Sequence, residues 1–185
     1  MKLTIKERKT KSKGELNRIR HEGNIPAVLY SAKGENSFVT INGSEFLAHS
    51  RNITPGGLAT SIFEVEVDGK ILKVVVKDIQ YDPTTYAIIH LDFLPLQKDA
   101  ALTINVPIHV VGLEECVGIK LGGFLRQVRR YVPVRCLSQN MPKEFILDIR
   151  DLQIGSAKRG KDLEVPNNVK ILILPKDVLL VIAKR

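Results

Sequence analysis

The stretch that most constrains the fold is residues 61–78. Phe63, Val65 and Val67 alternate with Glu64 and Glu66, and Leu72, Val74 and Val76 alternate with Ile71, Lys73, Val75 and Lys77. A period of two puts the apolar set on one face of a strand. Between the runs stands Asp68-Gly69, a residue pair suited to the positive φ values of a tight hairpin turn. The stretch therefore reads as an antiparallel hairpin with one buried face, and Glu64 and Glu66 are available to pair with Lys73 and Lys77. Cross-strand pairs of this kind contribute only about 0.2–1 kcal/mol each, so burial of the apolar face is the larger force.

The rest of the chain fits the same class. Strands are expected at 2–9, at Ala27-Val28-Leu29-Tyr30 after Pro26, at Phe38 to Ile41, and at 85–94. Further strands are expected at 102–111, roughly 124–137, 144–149, 169–174 and 178–183, separated by Pro and Gly at intervals typical of all-β proteins. Two short helices are expected, over 14–22 and over 43–51 with Ser44 as N-cap. No segment beyond residue 52 carries a long 3.6-residue period. The fold class is mainly β. Leu94-Pro95-Leu96-Gln97-Lys98-Asp99 reads as a boundary, giving one domain over 1–94 and a second β-rich domain over 95–185.

Charge narrows the function. The net charge is +8 and the pI about 9.5, which favours an anionic partner, either nucleic acid or an acidic membrane surface. Residues 1–20 hold eight Lys or Arg against two Glu, whereas 21–94 hold five against nine acidic residues. Positive charge is thus concentrated in one short segment, as suits a phosphate backbone. Aromatic content is 5% with no Trp, so charge and shape outweigh base stacking.

Several classes are disfavoured. No apolar run approaches the roughly 18 residues of a membrane span, and no apolar h-region follows the basic N-terminus. Cys116 and Cys136 lack metal-type spacing and read as reduced thiols of a cytoplasmic protein. His21, His49, His90 and His109 show no metal-ligand spacing, and there is no P-loop or GxGxxG, so no metal, cofactor or small-molecule substrate is expected. Cys116 and His109 together suggest a thiol nucleophile and its base only on paper, because no orienting motif surrounds them. The chain is read as a binding protein and not an enzyme.

In the basic segment, Lys9-Thr10-Lys11-Ser12-Lys13 has no apolar content and reads as a loop. On the helix that follows, Leu16 and Ile19 share one face, Arg18 points almost opposite, and Arg20 borders the apolar stripe. Such a helix can pin its apolar face to a core and present Arg18 outward. Gly23-Asn24 ends it.

Three sets of strings then carry a resemblance. Lys13-Gly14, Arg18-x-Arg20 and Ile25-Pro26-Ala27-Val28-Leu29-Tyr30 come first. Val67-Asp68-Gly69-Lys70, Lys77-Asp78-Ile79-Gln80-x-Asp82-Pro83 and His90-Leu91-Asp92-Phe93 follow. Val106-Pro107-Ile108-His109, Gly122-Gly123-Phe124-Leu125 and Leu152-x-Ile154-Gly155 lie in the second half. In this order they resemble, over essentially the full length, the bacterial large-subunit ribosomal proteins of the general-stress-protein CTC family. The resemblance implies a small N-terminal β-barrel with short helices that binds the loop E region of 5S rRNA in the central protuberance. It also implies a C-terminal β-rich domain facing neighbouring ribosomal proteins, and a ribosome-associated location. An alternative is a stress-related RNA-binding factor acting mainly off the ribosome.

The RNA-binding residues expected on this basis are Arg8, Lys9, Lys13, Gly14, Arg18, Arg20, Tyr30, His90 and Asp92. An RNA duplex exposes phosphates and 2′-hydroxyls across a wide minor groove. Arg makes forked phosphate contacts, Gly14 lets backbones approach closely, and Asp92 accepts from 2′-hydroxyls or base amino groups or holds a hydrated cation. Taken without the resemblance, Tyr30 reads equally as a barrel-edge aromatic, and His90 and Asp92 as polar neighbours on a solvated face. Here Ser12 replaces a common family Gly, Leu16 and Asn17 stand where Ser and Arg are frequent, and Tyr81 stands for a common Arg. A second basic cluster, Arg126, Arg129, Arg130 and Arg135, reads either as a solvated surface or as a contact to rRNA or a neighbouring protein.

Overall fold

The computed structural model describes residues 2–8, 12–30, 36–67, 70–97 and 100–184. Lys9 and the turn residues Asp68 and Gly69 lie outside the described residues. The chain forms two units, Met1–Ala100 and Ala101–Arg185.

The first unit is a seven-stranded sheet. Its strands are β1 (Lys2–Leu3), β2 (Ile5–Glu7), β3 (Asn24–Leu29), β4 (Ser37–Asn42), β5 (Ile62–Val67), β6 (Lys70–Tyr81) and β7 (Ile88–Pro95). They lie in the order β1-β5-β6-β7-β3-β4-β2. β1 and β2 are neighbours in sequence yet stand at opposite ends of that order, so the sheet curls until its two ends meet in a nearly closed barrel. The strand expected over 2–9 is therefore two pieces broken at Thr4. Leu3 pairs with Val65 of β5 in parallel, and Ile5 pairs with Ile41 of β4 antiparallel. The Thr4 amide, between the two ladders, donates to the Glu45 carboxylate at 3.2 Å, so it is not left orphaned.

The hairpin forms as its alternation predicts, with Phe63 opposite Val74 and Glu64 opposite Lys73. Lys77 pairs with neither glutamate. The inward residues run Leu72, Val74, Val76 and then Ile79, and the ladder to β7 shifts between Val76 and Asp78. Lys77 is the extra residue of a β-bulge.

The barrel interior is filled by Leu3, Ile25, Ala27, Val39, Ile41, Phe63, Val65, Val74, Val76, Leu91 and Phe93. Phe46 of α2 (Gly43–Arg51) joins this core and stacks on Phe63 with ring centroids 5.8 Å apart, while Phe63 meets Phe93 edge-on at 6.4 Å. Asn42 caps α2, accepting from the amides of Ser44 and Glu45. Ser44 is not the cap. A Cβ at Gly43 would overlap the Gly23 carbonyl oxygen, which accepts the Gly43 amide at 3.2 Å. The other helix is α1 (Lys13–His21), capped by Ser12 and packed beside β3 with no residue fully buried.

β7 begins later than 85, because Asp82 organises a turn first. Its Oδ1 accepts the amides of Thr84 and Thr85 at 2.8 and 2.9 Å and also the Thr84 hydroxyl. These hydrogen bonds pull the Asp82 carboxyl down to about 2.

The second unit has two sheets. One contains β8 (Ala101–Val111), β10 (Tyr131–Leu137), β11 (Phe145–Asp148) and β13 (Lys170–Ile171), in the order β11-β8-β10-β13. The other contains β9 (Gly123–Gln127), β12 (Ala157–Arg159) and β14 (Val178–Lys184), in the order β12-β14-β9. The strand expected over 124–137 is two strands, since Val128-Arg129-Arg130 turns the chain from one sheet into the other. β12 and the one-turn helix α3 (Val117–Lys120) were not legible as elements, being too short to show a period. Cys116 and Cys136 are free and buried. The Cys116 thiol sits 3.4 Å from the Leu152 carbonyl, and His109 faces Glu144 at 3.4 Å.

Candidate nucleic-acid interface

The expected residues come from four places on the first unit: the segment after β2, helix α1, the end of β3, and β7. β3 and β7 run parallel, with Val28 opposite Asp92 and Leu29 opposite Phe93. Their pairing continues one residue further, as the Tyr30 amide donates to the Phe93 carbonyl at 3.0 Å. This register brings the Tyr30 hydroxyl to Asp92 Oδ2 at 2.9 Å. The hydrogen bond, with partial burial and the Asp92 charge, raises the Tyr30 pKa. Tyr30 is thus a positioned donor-acceptor as well as a barrel-edge ring.

Asp92 holds His90 on its other side, with Oδ1 3.0 Å from His90 Nδ1. The ring is not aligned for a good hydrogen bond there. Burial lowers the His90 pKa, Asp92 opposes this, and Arg8 and Arg20 add to the lowering. His90 is accordingly neutral at pH 7.

Arg8 and Arg20 complete the cluster. The Arg8 Nε donates to the Val39 carbonyl at 3.3 Å, and its guanidinium lies 5.4 Å from the Phe38 ring centroid. Arg20 reaches from α1 to the Ile89 carbonyl of β7 at 3.2 Å and to Asn17 Oδ1 at 3.3 Å. Burial lowers the Arg8 pKa, Glu15 opposes it, and Arg20 lowers it further. Each guanidinium thus uses one N–H to fix itself to the barrel and keeps others for a ligand. This is a preorganised pair of forks, not two loose surface cations.

Arg18, Lys13 and Gly14 are not part of that cluster. Arg18 is highly exposed and pairs with Glu22 at 3.0 Å along α1. Lys13 and Gly14 form the first turn of α1 and are exposed. A Cβ on Gly14 would meet nothing within 4 Å, so the fold itself does not require glycine there. Gly in a helix costs about 0.5–1 kcal/mol relative to Ala.

The sequence reading missed Lys77. The bulge turns its ammonium over the Tyr30 ring, 4.6 Å from the centroid. The available signal was the three-residue step from Val76 to Ile79 in an otherwise two-residue apolar pattern. Asp78 was missed as well, and it stands directly opposite Asp92. A second register shift, between Gln80 and Tyr81, lies on the other side of His90 in the same ladder. Bulges of this kind re-aim side chains, and the two bracket the His90–Asp92 face.

The outer face of β3, β6 and β7 therefore offers two anchored guanidiniums, an ammonium, a neutral imidazole, a phenol and a carboxylate. Such a set can bind phosphate, 2′-hydroxyl and base-edge groups side by side. Among the described residues no group of three His, Cys, Asp or Glu side chains is arranged to hold a metal ion, and no helix is long and apolar enough to cross a membrane.

Comparison with known proteins identifies the family. Residues 3–93 match the Ribosomal L25p family, and residues 101–185 match the C-terminal domain of ribosomal protein TL5. The chain is 36% identical to the large ribosomal subunit protein bL25 of Chlamydia pneumoniae and 37% identical to that of Chlamydia muridarum, in each case over 185 residues and the whole of both chains. The bL25 of Chlamydia caviae is 34% identical over the same span. With both units matched and full-length relatives at this identity, the chain belongs to the bL25 family of large ribosomal subunit proteins.

Proposed function

We propose that the first unit binds 5S rRNA in the central protuberance through the face built by Arg8, Arg20, Tyr30, Lys77, His90 and Asp92, with Lys13, Gly14 and Arg18 of α1 along its border. As a bL25 protein the chain is a structural constituent of the large ribosomal subunit, with rRNA and ribosomal proteins as partners and no reaction of its own. The finer assignment to 5S rRNA rests on the resemblance carried by the strings from Lys13-Gly14 to His90-Leu91-Asp92-Phe93.

The observation that carries the reading is the clustering of Arg8, Arg20 and His90 against a Tyr30–Asp92 hydrogen bond on one solvent-facing surface. In the proposed complex the guanidiniums take phosphate oxygens. The neutral His90 ring offers one nitrogen as a donor and the other as an acceptor for a 2′-hydroxyl. Asp92 accepts from a second hydroxyl or a base amino group. Arg8, Arg20 and Lys77 together outnumber the two carboxylates Asp78 and Asp92, so an anionic ligand meets a net cationic surface. The open space over Gly14 lets a sugar–phosphate strand run against the first turn of α1.

Hydroxyl-radical footprinting of 5S rRNA with the full chain tests the assignment. The reading expects one continuous protected stretch, lost in Arg8→Gln/Arg20→Gln. Protection unchanged in that variant would place the RNA elsewhere on the chain.

A further inference from the structure

The second unit carries fourteen Lys or Arg against eight Asp or Glu over residues 101–185, so most of the excess positive charge lies outside the proposed 5S rRNA face. Part of it is neutralised locally: Arg129 pairs with Asp177 at 3.1 Å, and Arg150 with Glu115 and Asp148 at 3.3 and 3.5 Å. Arg135 and Lys170 are different. They are register partners on β10 and β13, directly opposite each other, and both are exposed. Among the described residues neither forms an ion pair with a carboxylate. Like charges placed opposite on neighbouring strands destabilise a sheet, so the fold gains nothing from this pair.

Their surroundings suit one kind of ligand. On the same outward face, Thr103 of β8 stands opposite Arg135, and Asn105 stands opposite Pro133. Tyr131, 44% exposed, lies four residues along β10 from Arg135, roughly 13 Å at about 3.3 Å per residue. The inward residues Val132, Val134 and Cys136 are buried, which fixes the outward direction of Tyr131 and Arg135. The carboxylates of this sheet's other edge, Asp148 and Glu144, already face Arg150 and His109.

We propose that the outer face of β8, β10 and β13 is a second RNA-binding surface, on which Arg135 and Lys170 take adjacent phosphates and Tyr131 stacks on a base. Charge complementarity selects the occupant: two adjoining cations, two neutral hydrogen-bonding side chains and an exposed phenol ring favour a sugar–phosphate strand over a protein surface. The surface is independent of the 5S rRNA face and engages a different rRNA segment of the large subunit.

The test uses the full chain and a 23S rRNA transcript free of 5S rRNA. Arg135→Gln/Lys170→Gln is expected to lower affinity about tenfold and to flatten the dependence of log K on log salt by about two phosphate contacts. Its unfolding midpoint is expected to stay level or rise, because a repulsive pair is removed. Tyr131→Leu is expected to weaken binding without changing the salt slope. Binding of the double variant to 5S rRNA is expected to equal that of the unaltered chain, which separates this surface from the first. Three results would overturn the proposal: no binding of the unaltered chain to the transcript, unchanged affinity and slope in the double variant, or a lowered midpoint that accounts for the loss.

Discussion

Asp78 and Asp92 stand directly opposite each other on β6 and β7. Two carboxylates in that relation repel, and the sheet tolerates them because a bulge places Lys77 beside them and Tyr30 donates its hydroxyl to Asp92. The arrangement is costly for the barrel and useful for a ligand that brings hydroxyl or amino donors. Asp78→Asn is therefore expected to stabilise the fold by about 0.2–1 kcal/mol, read as a higher urea midpoint with an unchanged m-value. A lower midpoint would show that the pair is not repulsive in the folded protein.

Lys77→Ala removes the only Lys or Arg in the run from Lys73 to Pro95 other than Lys73 itself. RNA affinity is expected to fall by about 1 kcal/mol, with the salt slope reduced by about one contact. Equal slopes for the variant and the unaltered chain would remove Lys77 from the interface.

The two arginines of α1 separate binding from folding. Arg18 is exposed and, among the described residues, pairs with Glu22, an interaction worth about 0.3–0.5 kcal/mol. Arg18→Ala is expected to leave thermal unfolding nearly unchanged while weakening RNA binding by about 1–3 kcal/mol. Arg20 also fastens α1 to the Ile89 carbonyl, so Arg20→Ala is expected to lower both stability and affinity. Parallel melting curves and binding isotherms distinguish the two patterns.

Acidification probes His90. Burial holds its pKa below 6.5 in the folded protein, so the unfolded chain takes up the proton first. Stability from this group is complete above pH 6.5 and falls as pH drops from there toward the lowered folded pKa. His90→Gln is expected to remove that part of the pH dependence, measured as unfolding midpoints between pH 7.5 and 5. An identical fall in the variant would assign it to other groups.

Much of this was legible before any coordinates. The hairpin followed from alternation around Asp68-Gly69, and α1 from Leu16 and Ile19, because both patterns are local. The barrel was expected from the resemblance alone, and its closure has no local signal: nothing in Lys2-Leu3-Thr4-Ile5 announces that the strand changes partners at Thr4, whose amide is taken up by a carboxylate 41 residues away. The cap of α2 went to Asn42 because the helix already begins at Gly43, which leaves Ser44 inside its first turn, and the Asn42 side-chain oxygen accepts two amides at once. At the site, the types of residue were legible and their grouping was not. Arg8, Arg20 and His90 meet only after β3 and β7 pair in parallel, a long-range register that no local spacing encodes. Lys77 was grouped with the glutamates although the hairpin register sets Glu64 opposite Lys73 and Glu66 opposite Ile71 and leaves Lys77 beyond the end of β5.

The most direct test is the affinity of the full chain for 5S rRNA against a regular RNA duplex of equal length, across a salt series. The account predicts preference for 5S rRNA by at least about a hundredfold at physiological salt, with log K falling linearly in log salt and the preference lost in Arg8→Gln/Arg20→Gln. Equal affinity for both RNAs at every salt concentration would contradict it.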